Sequence, residues 1–134
     1  MAVVEATIDQ LRRNRFGSKW TLILKEKKTD RYLPIYIGAA QAAIVKNELL
    51  KSAATSVALG LFLASVGATD SKVESVTIDR FEHNIFHAKL LLSCQAEFRD
   101  VSCPTAIALA LAARADAPIF LEDEVLNKAA LMSQ

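Results

Sequence analysis

The sequence predicts one α+β domain, and three observations predict it. Strand and helix patterns segregate: three strands lead, two helices follow, three more strands come next, and helix, strand, helix end the chain. No Pro-, Gly- or Ser-rich linker divides these segments. The 134 residues are 52% hydrophobic and 23% charged, enough apolar surface for one core of ordinary size without metal or disulfide staples. The same figures exclude a disordered chain, and Gly 4 and Pro 3 exclude collagen-like and low-complexity classes. No period of 20–50 residues suggests a solenoid.

Each element has a local reason. Val3 to Leu11 alternates roughly and is rich in β-branched residues, so it reads as a strand. Asn14 to Ser18 is a turn signal, and Trp20 to Leu24 is a short apolar run suited to a strand buried on both faces. Lys27 to Asp30 turns the chain again. Arg31 to Ile37 then alternates, with Leu33, Ile35 and Ile37 on one face and Tyr32, Pro34 and Tyr36 on the other. Pro34 has no N–H to donate, so this strand lies at a sheet edge or presents that nitrogen away from the ladder.

Ala39 to Lys51 has helical spacing at Ile44, Val45, Glu48 and Leu49. Thr55 is an N-cap candidate for a second helix that ends near Gly67. This helix is apolar nearly all round, so it is buried or covered by another subunit, the first argument for an oligomer. The surrounding uncharged run, Ser52 to Thr69, has an apolar centre, Val57 to Val66, too short to cross a membrane. Lys72 to Phe81 and Ile85 to Cys94 read as strands joined by a Glu82-His83-Asn84 turn. Glu97 to Ser102 is a short strand, Pro104 opens a helix to about Arg114, Pro118 to Leu121 is a strand, and Asp123 caps a last helix.

Cysteine usage and the N-terminus bear on location. If the strands around Gln95-Ala96 form a hairpin, Cys103 lies opposite Ala88 and about 20 Å along the ladder from Cys94, too far for a disulfide. Both are read as buried thiols. With an N-terminus unlike a secretory signal, they place the protein in the cytoplasm. No Cys/His spacing matches a zinc site.

The net charge of +1 gives no overall nucleic-acid footprint, but its distribution is uneven. Residues 1–31 carry eight basic and four acidic side chains, a net +4 that leaves −3 for the rest. Arg12, Arg13, Arg15 and Lys19 form a stretch without an anion, a candidate phosphate-contacting surface or a solvated hairpin tip.

The string Asp30-Arg31-Tyr32-Leu33-Pro34-Ile35-Tyr36-Ile37-Gly38 is followed by an Ala-rich helix. Later come Ile107-Ala108-Leu109-Ala110-Leu111, Ala117-Pro118-Ile119-Phe120 and Glu124-Val125-Leu126. In order and spacing, from about Val3 to Lys128, the chain resembles the bifunctional nuclease domain family. The resemblance implies a compact α+β domain with a mixed, mostly antiparallel sheet packed by about four helices, and a homodimer. It also implies nuclease activity on DNA and RNA, with a divalent cation, Mg²⁺ or Mn²⁺, as cofactor. The sequence departs from the family's polar positions. Gln41 stands where the family usually has Glu. Thr55 is kept, but Ser56 and Val57 replace His and Asp. Cys103-Pro104-Thr105-Ala106 replaces Arg-Pro-Ser-Asp-Ala. Gln, Ser, Val and Ala neither hold Mg²⁺ strongly nor take a proton near pH 7.

Candidate site residues are therefore Arg31, Gln41, Thr55, Ser56 and Thr105. Arg31, at a strand entry, either holds a phosphate bidentately or pairs with Asp30 or an acid of a neighbouring subunit. Thr105 offers a hydroxyl beside free helix amides, as an anion site or as a cap. His83 and His87 read as a turn residue and a half-exposed strand residue. Glu122-Asp123-Glu124 reads as dipole-complementing acid at a helix start. Asp79 and Glu82 bracket a hairpin and face water, and with Asp100 flank the middle sheet. Tyr32, Tyr36 and Trp20 read as core rather than base-stacking aromatics. No metal site is assigned. Two functions follow: a nuclease of this family, or a catalytically silent homodimeric binding or regulatory module whose basic hairpin contacts an anionic partner. A subunit that only pairs with an intact relative is a third.

Overall fold

The computed structural model describes residues 3–15, 19–49, 64–68, 70–83 and 85–132. Seven strands and three helices follow one another as β1 (Val3–Arg13), β2 (Trp20–Glu26), β3 (Tyr32–Ile37), α1 (Ala39–Leu49), β4 (Ser71–Glu82), β5 (Ile85–Cys94), β6 (Glu97–Pro104), α2 (Thr105–Ala115), β7 (Ile119–Glu122) and α3 (Asp123–Met132). Residues 64–68 are also helical. The rest of the helix expected from Thr55, with Thr55, Ser56 and Val57, lies outside the described residues.

All seven strands join one sheet in the order β3-β2-β1-β7-β4-β5-β6. Every pairing is antiparallel except β4 with β7, which is parallel. Short β7 joins the two halves: Ile119 to Glu122 pairs with Val3 to Ala6 on one side, and Ile119 to Leu121 with Val76 to Ile78 on the other. β3 is an edge strand, which suits Pro34.

Period-two patterning sets what each strand buries. Leu22, Leu24, Leu33, Ile35, Val76, Ile78, Leu90 and Leu121 form one core with Val45 of α1, Leu109 of α2 and Val125 of α3. The helices cover this face. Alanines at 42, 106, 108, 110 and 112 are all buried, so α1 and α2 approach closely. Leu109 is fully buried, and truncating such a side chain to Ala costs about 2–5 kcal/mol. α2 ends at Asp116, left-handed at φ 58°, whose N–H bonds the Ala112 carbonyl. Asp tolerates this conformation where glycine is usual.

Two hairpins and two register shifts in the β4–β5 ladder shape the second half of the sheet. The Gln95-Ala96 turn has positive φ at both residues, 51° and 70°, which matches the twist of the strands it joins. The resulting register puts Cys103 opposite Ala88, as its hairpin arithmetic requires, and neither cysteine is in a disulfide. Both thiols are half-buried rather than buried, because β5 and β6 lie at the open side of the sheet. At the other turn His83 takes φ 52°. The β4–β5 register shifts between Ile78 and Arg80, so Asp79 is an extra residue in a bulge.

Candidate functional site

A cavity of about 420 Å³ opens beside edge strand β3. β3 supplies Pro34, Ile35, Tyr36 and Ile37, and the first turn of α1 adds Gln41. Facing them are Phe81, Ile85 and Phe86 from the β4–β5 hairpin, Pro104, Thr105 and Ala106 at the start of α2, and Ala129 of α3. Thus Gln41, Thr105 and Ala106, far apart in sequence, line one space. Thr55 and Ser56 lie outside the described residues.

Among the described residues, none that lines the cavity carries a carboxylate, an imidazole, an ammonium or a guanidinium. The Phe81 and Phe86 rings stack with centroids 4.3 Å apart. Thr105 is 8% exposed, and its hydroxyl donates to the Phe86 carbonyl at 2.9 Å. It makes no side-chain cap, and neither does Pro104 before it. This hydroxyl ties α2 to β5 and is not free for an anion. Gln41 keeps the amide as the cavity's main polar handle. A divalent cation needs hard anionic oxygens, and the described lining residues offer none. Among the described residues no group of three His, Cys, Asp or Glu side chains gathers as a metal centre.

Arg31 is held by acids other than its neighbour Asp30. Its Nε lies 2.7 Å from Glu26 Oε2 and its Nη2 3.1 Å from Asp123 Oδ1. The Thr29 hydroxyl donates to the same Glu26 oxygen at 2.7 Å. Hydrogen bonds from Arg31 and then Thr29 hold the Glu26 carboxyl below its ordinary range, and the bond to Glu26 raises the Arg31 guanidinium. The network clips the β2–β3 turn to the start of α3.

The basic stretch lies where β1 leads into β2. Arg12 and Arg13 are exposed and pair in register with Thr21 and Trp20. Arg15 and Lys19 are exposed beyond them. The turn is braced where the Asn14 N–H bonds the Lys19 carbonyl at 3.0 Å and the Thr21 hydroxyl donates to Asn14 Oδ1 at 2.6 Å. Among the described residues no carboxylate lies in ion-pair range of Arg12, Arg13 or Lys19.

Other expectations are corrected by geometry. Asp79 does not face water: its side chain is 15% exposed and lies against Lys89, whose Nζ is 3.4 Å from Oδ2. Its Oδ1 is buried with no protein partner. His87 and Lys89 share with it a depression of about 310 Å³ on the sheet. Glu82 and Asp100 are exposed, and Glu82 lies 3.9 Å from Arg80. Asp123 serves Arg31, while Glu124 pairs with Lys128 one helical turn on. Tyr32 and Tyr36 are not core: they are 49% and 64% exposed on the outer side of β3. Alternation in the sequence had put them opposite Leu33 and Ile35, and edge position leaves that side uncovered.

The chain is 30% identical over 112 residues to two uncharacterized proteins of Mycobacterium tuberculosis, Rv1829 of strain H37Rv and MT1877 of strain CDC 1551. The match takes in 83% of this chain and 66% of each relative, so the chain spans just under two thirds of their length. The model of the bifunctional nuclease domain matches residues 22–134, beginning inside β2 and leaving β1 and its cations outside. With β3, α1, the cavity and α2 all inside the matched range, the chain belongs to the bifunctional nuclease domain family.

Proposed function

We propose that this chain is a nucleic-acid-directed member of its family that binds through the basic β1–β2 hairpin. The observation that carries the reading is the cluster of Arg12, Arg13, Arg15 and Lys19 at one end of the molecule, without carboxylates against Arg12, Arg13 and Lys19 among the described residues. Such a cluster neutralises phosphates and releases their counterions. The cavity supports binding over hydrolysis. Phosphodiester cleavage needs an activated water and charge stabilisation at the phosphoryl oxygens, and Gln41, Thr105 and Ala106 supply neither.

The family name favours a second reading, a nuclease acting on DNA or RNA with Mg²⁺ or Mn²⁺. One assay separates the two. Purified protein is incubated with single- and double-stranded DNA and RNA, with either cation and with chelator. Salt-dependent binding without cleavage, weakened by Arg12→Ala and Arg13→Ala, supports the binding module. Metal-dependent cleavage abolished by a single substitution at Arg31 or Gln41 supports the nuclease. Neither binding nor cleavage leaves a subunit that pairs with an intact relative.

The working unit is a homodimer in this proposal. Its support is β6, an edge strand that exposes both faces, including Phe98 at 63% and Val101 at 41%. Light scattering at micromolar concentration tests it, and a monomer mass refutes it. Two thiols outside any disulfide fit a cytoplasmic setting. No described helix is long and apolar enough to cross a membrane.

A further inference from the structure

We infer that the cavity beside β3 is a nucleobase pocket, and that Arg12 and Arg13 hold the phosphates of the same strand. The inference rests on the nucleic-acid reading above and adds what part of the polymer the protein selects. Two independent observations meet here.

The first is the chemistry of the cavity. About 420 Å³ lies within the range of small-ligand sites. The described lining residues carry no formal charge, and such a surface repels a phosphate or a metal ion by desolvation and accepts an uncharged ring. Tyr36, Phe81 and Phe86 offer aromatic surface, and base–aromatic stacking tolerates any base. The Thr105 hydroxyl is already committed to the Phe86 carbonyl. The Gln41 amide therefore remains to meet a base edge, as donor and acceptor at once.

The second is register. Tyr36 pairs with Thr21, which pairs with Arg12, and Ile37 pairs with Trp20, which pairs with Arg13. Two cavity-lining residues therefore sit two strand positions, about 10 Å, from the two cations. Arg12 shares the face of Tyr36 and Arg13 the opposite face with Ile37, since cross-strand partners share a face and neighbours alternate. A base held against Tyr36 and Ile37 leaves its phosphate within two strand spacings of these guanidinium groups, one on each side of the β3 wall. A duplex hides base faces and edges in its stack, so the pocket selects unpaired nucleotides.

The test is fluorescence anisotropy with a labelled single-stranded oligonucleotide, the same backbone made fully abasic, and the duplex. The normal strand should bind at least fivefold tighter than the abasic strand and the duplex, the lower bound for loss of one stacked base. Ala106→Phe, which fills the cavity, should abolish that difference while Arg12 and Arg13 continue to bind the backbone. Tyr36→Ala, at an exposed position, tests the same wall without burdening the core. Equal affinity for normal and abasic strands overturns the pocket and leaves the nucleic-acid reading standing. So does duplex binding as tight as single-strand binding. A preference for bases that survives both variants places stacking elsewhere and overturns the inference. Binding to no oligonucleotide overturns both readings.

Discussion

Arg114 Nη1 of α2 lies 3.2 Å from Glu48 Oε1 of α1, and Glu48 is 4% exposed. The pair joins the two Ala-rich helices at a buried carboxylate. Arg114→Ala leaves that charge without its partner and should cost about 2 kcal/mol, the scale of a hydrogen bond to a charged group. Replacing both partners, with Glu48→Met and Arg114→Met, should cost less than the single change. Urea unfolding at neutral pH reads both values. A single variant as stable as the parent refutes the role.

The Gln95-Ala96 turn carries two residues in left-handed backbone, at φ 51° and 70°. A Cβ disfavours that conformation by roughly 1–2 kcal/mol. Ala96→Gly should stabilise the domain by about 1 kcal/mol, and Ala96→Val should destabilise it. Thermal unfolding of the three proteins should rank them Gly, Ala, Val.

Thr105→Val removes the donor to the Phe86 carbonyl and should cost about 1 kcal/mol. Thr105→Ser keeps the hydroxyl and should recover most of it. An anion site would instead show weakened oligonucleotide binding at unchanged stability, and denaturation together with anisotropy separates the two.

Glu26 has its carboxyl lowered, first by the hydrogen bond from Arg31. A lowered carboxyl contributes stability that is full above its unfolded value, near pH ~4.3. That contribution is lost as pH falls through the folded value below it. Glu26→Gln should therefore flatten the fall in stability as pH drops below the ordinary glutamate range, measured by chemical denaturation at each pH. An unchanged slope removes Glu26 from the acid response.

Arg12→Ala with Arg13→Ala should weaken oligonucleotide binding uniformly across sequences. The slope of log affinity against log salt should shrink by about 0.7 for each lost contact to a single strand. Titrations at several salt concentrations read this, and an unaltered slope takes the two arginines off the phosphates.

What could be read ahead of the structure was local. Alternation at Leu33, Ile35 and Ile37 marked an edge strand with Pro34 in it, and β3 lies at an edge. Counting from Gln95-Ala96 placed Cys103 opposite Ala88. The burial of Asp79 was not legible, because a bulge is an irregularity of pairing that no side-chain period records. Nor was the engagement of Arg31, whose partner Asp123 stands 92 positions away.

By itself, then, the amino-acid sequence determined, for the described residues, the elements and their order, the β5–β6 register and the family. Those depend on neighbours a few residues apart, through period-two and helical patterning and turn chemistry. Only the tertiary structure decided that Gln41, Thr105 and Ala106 share one cavity. It also decided that Arg12 and Arg13 lie two strands from the cavity wall. Both facts depend on how the sheet and helices bring distant segments together, and packing of the common core sets that arrangement rather than any local pattern.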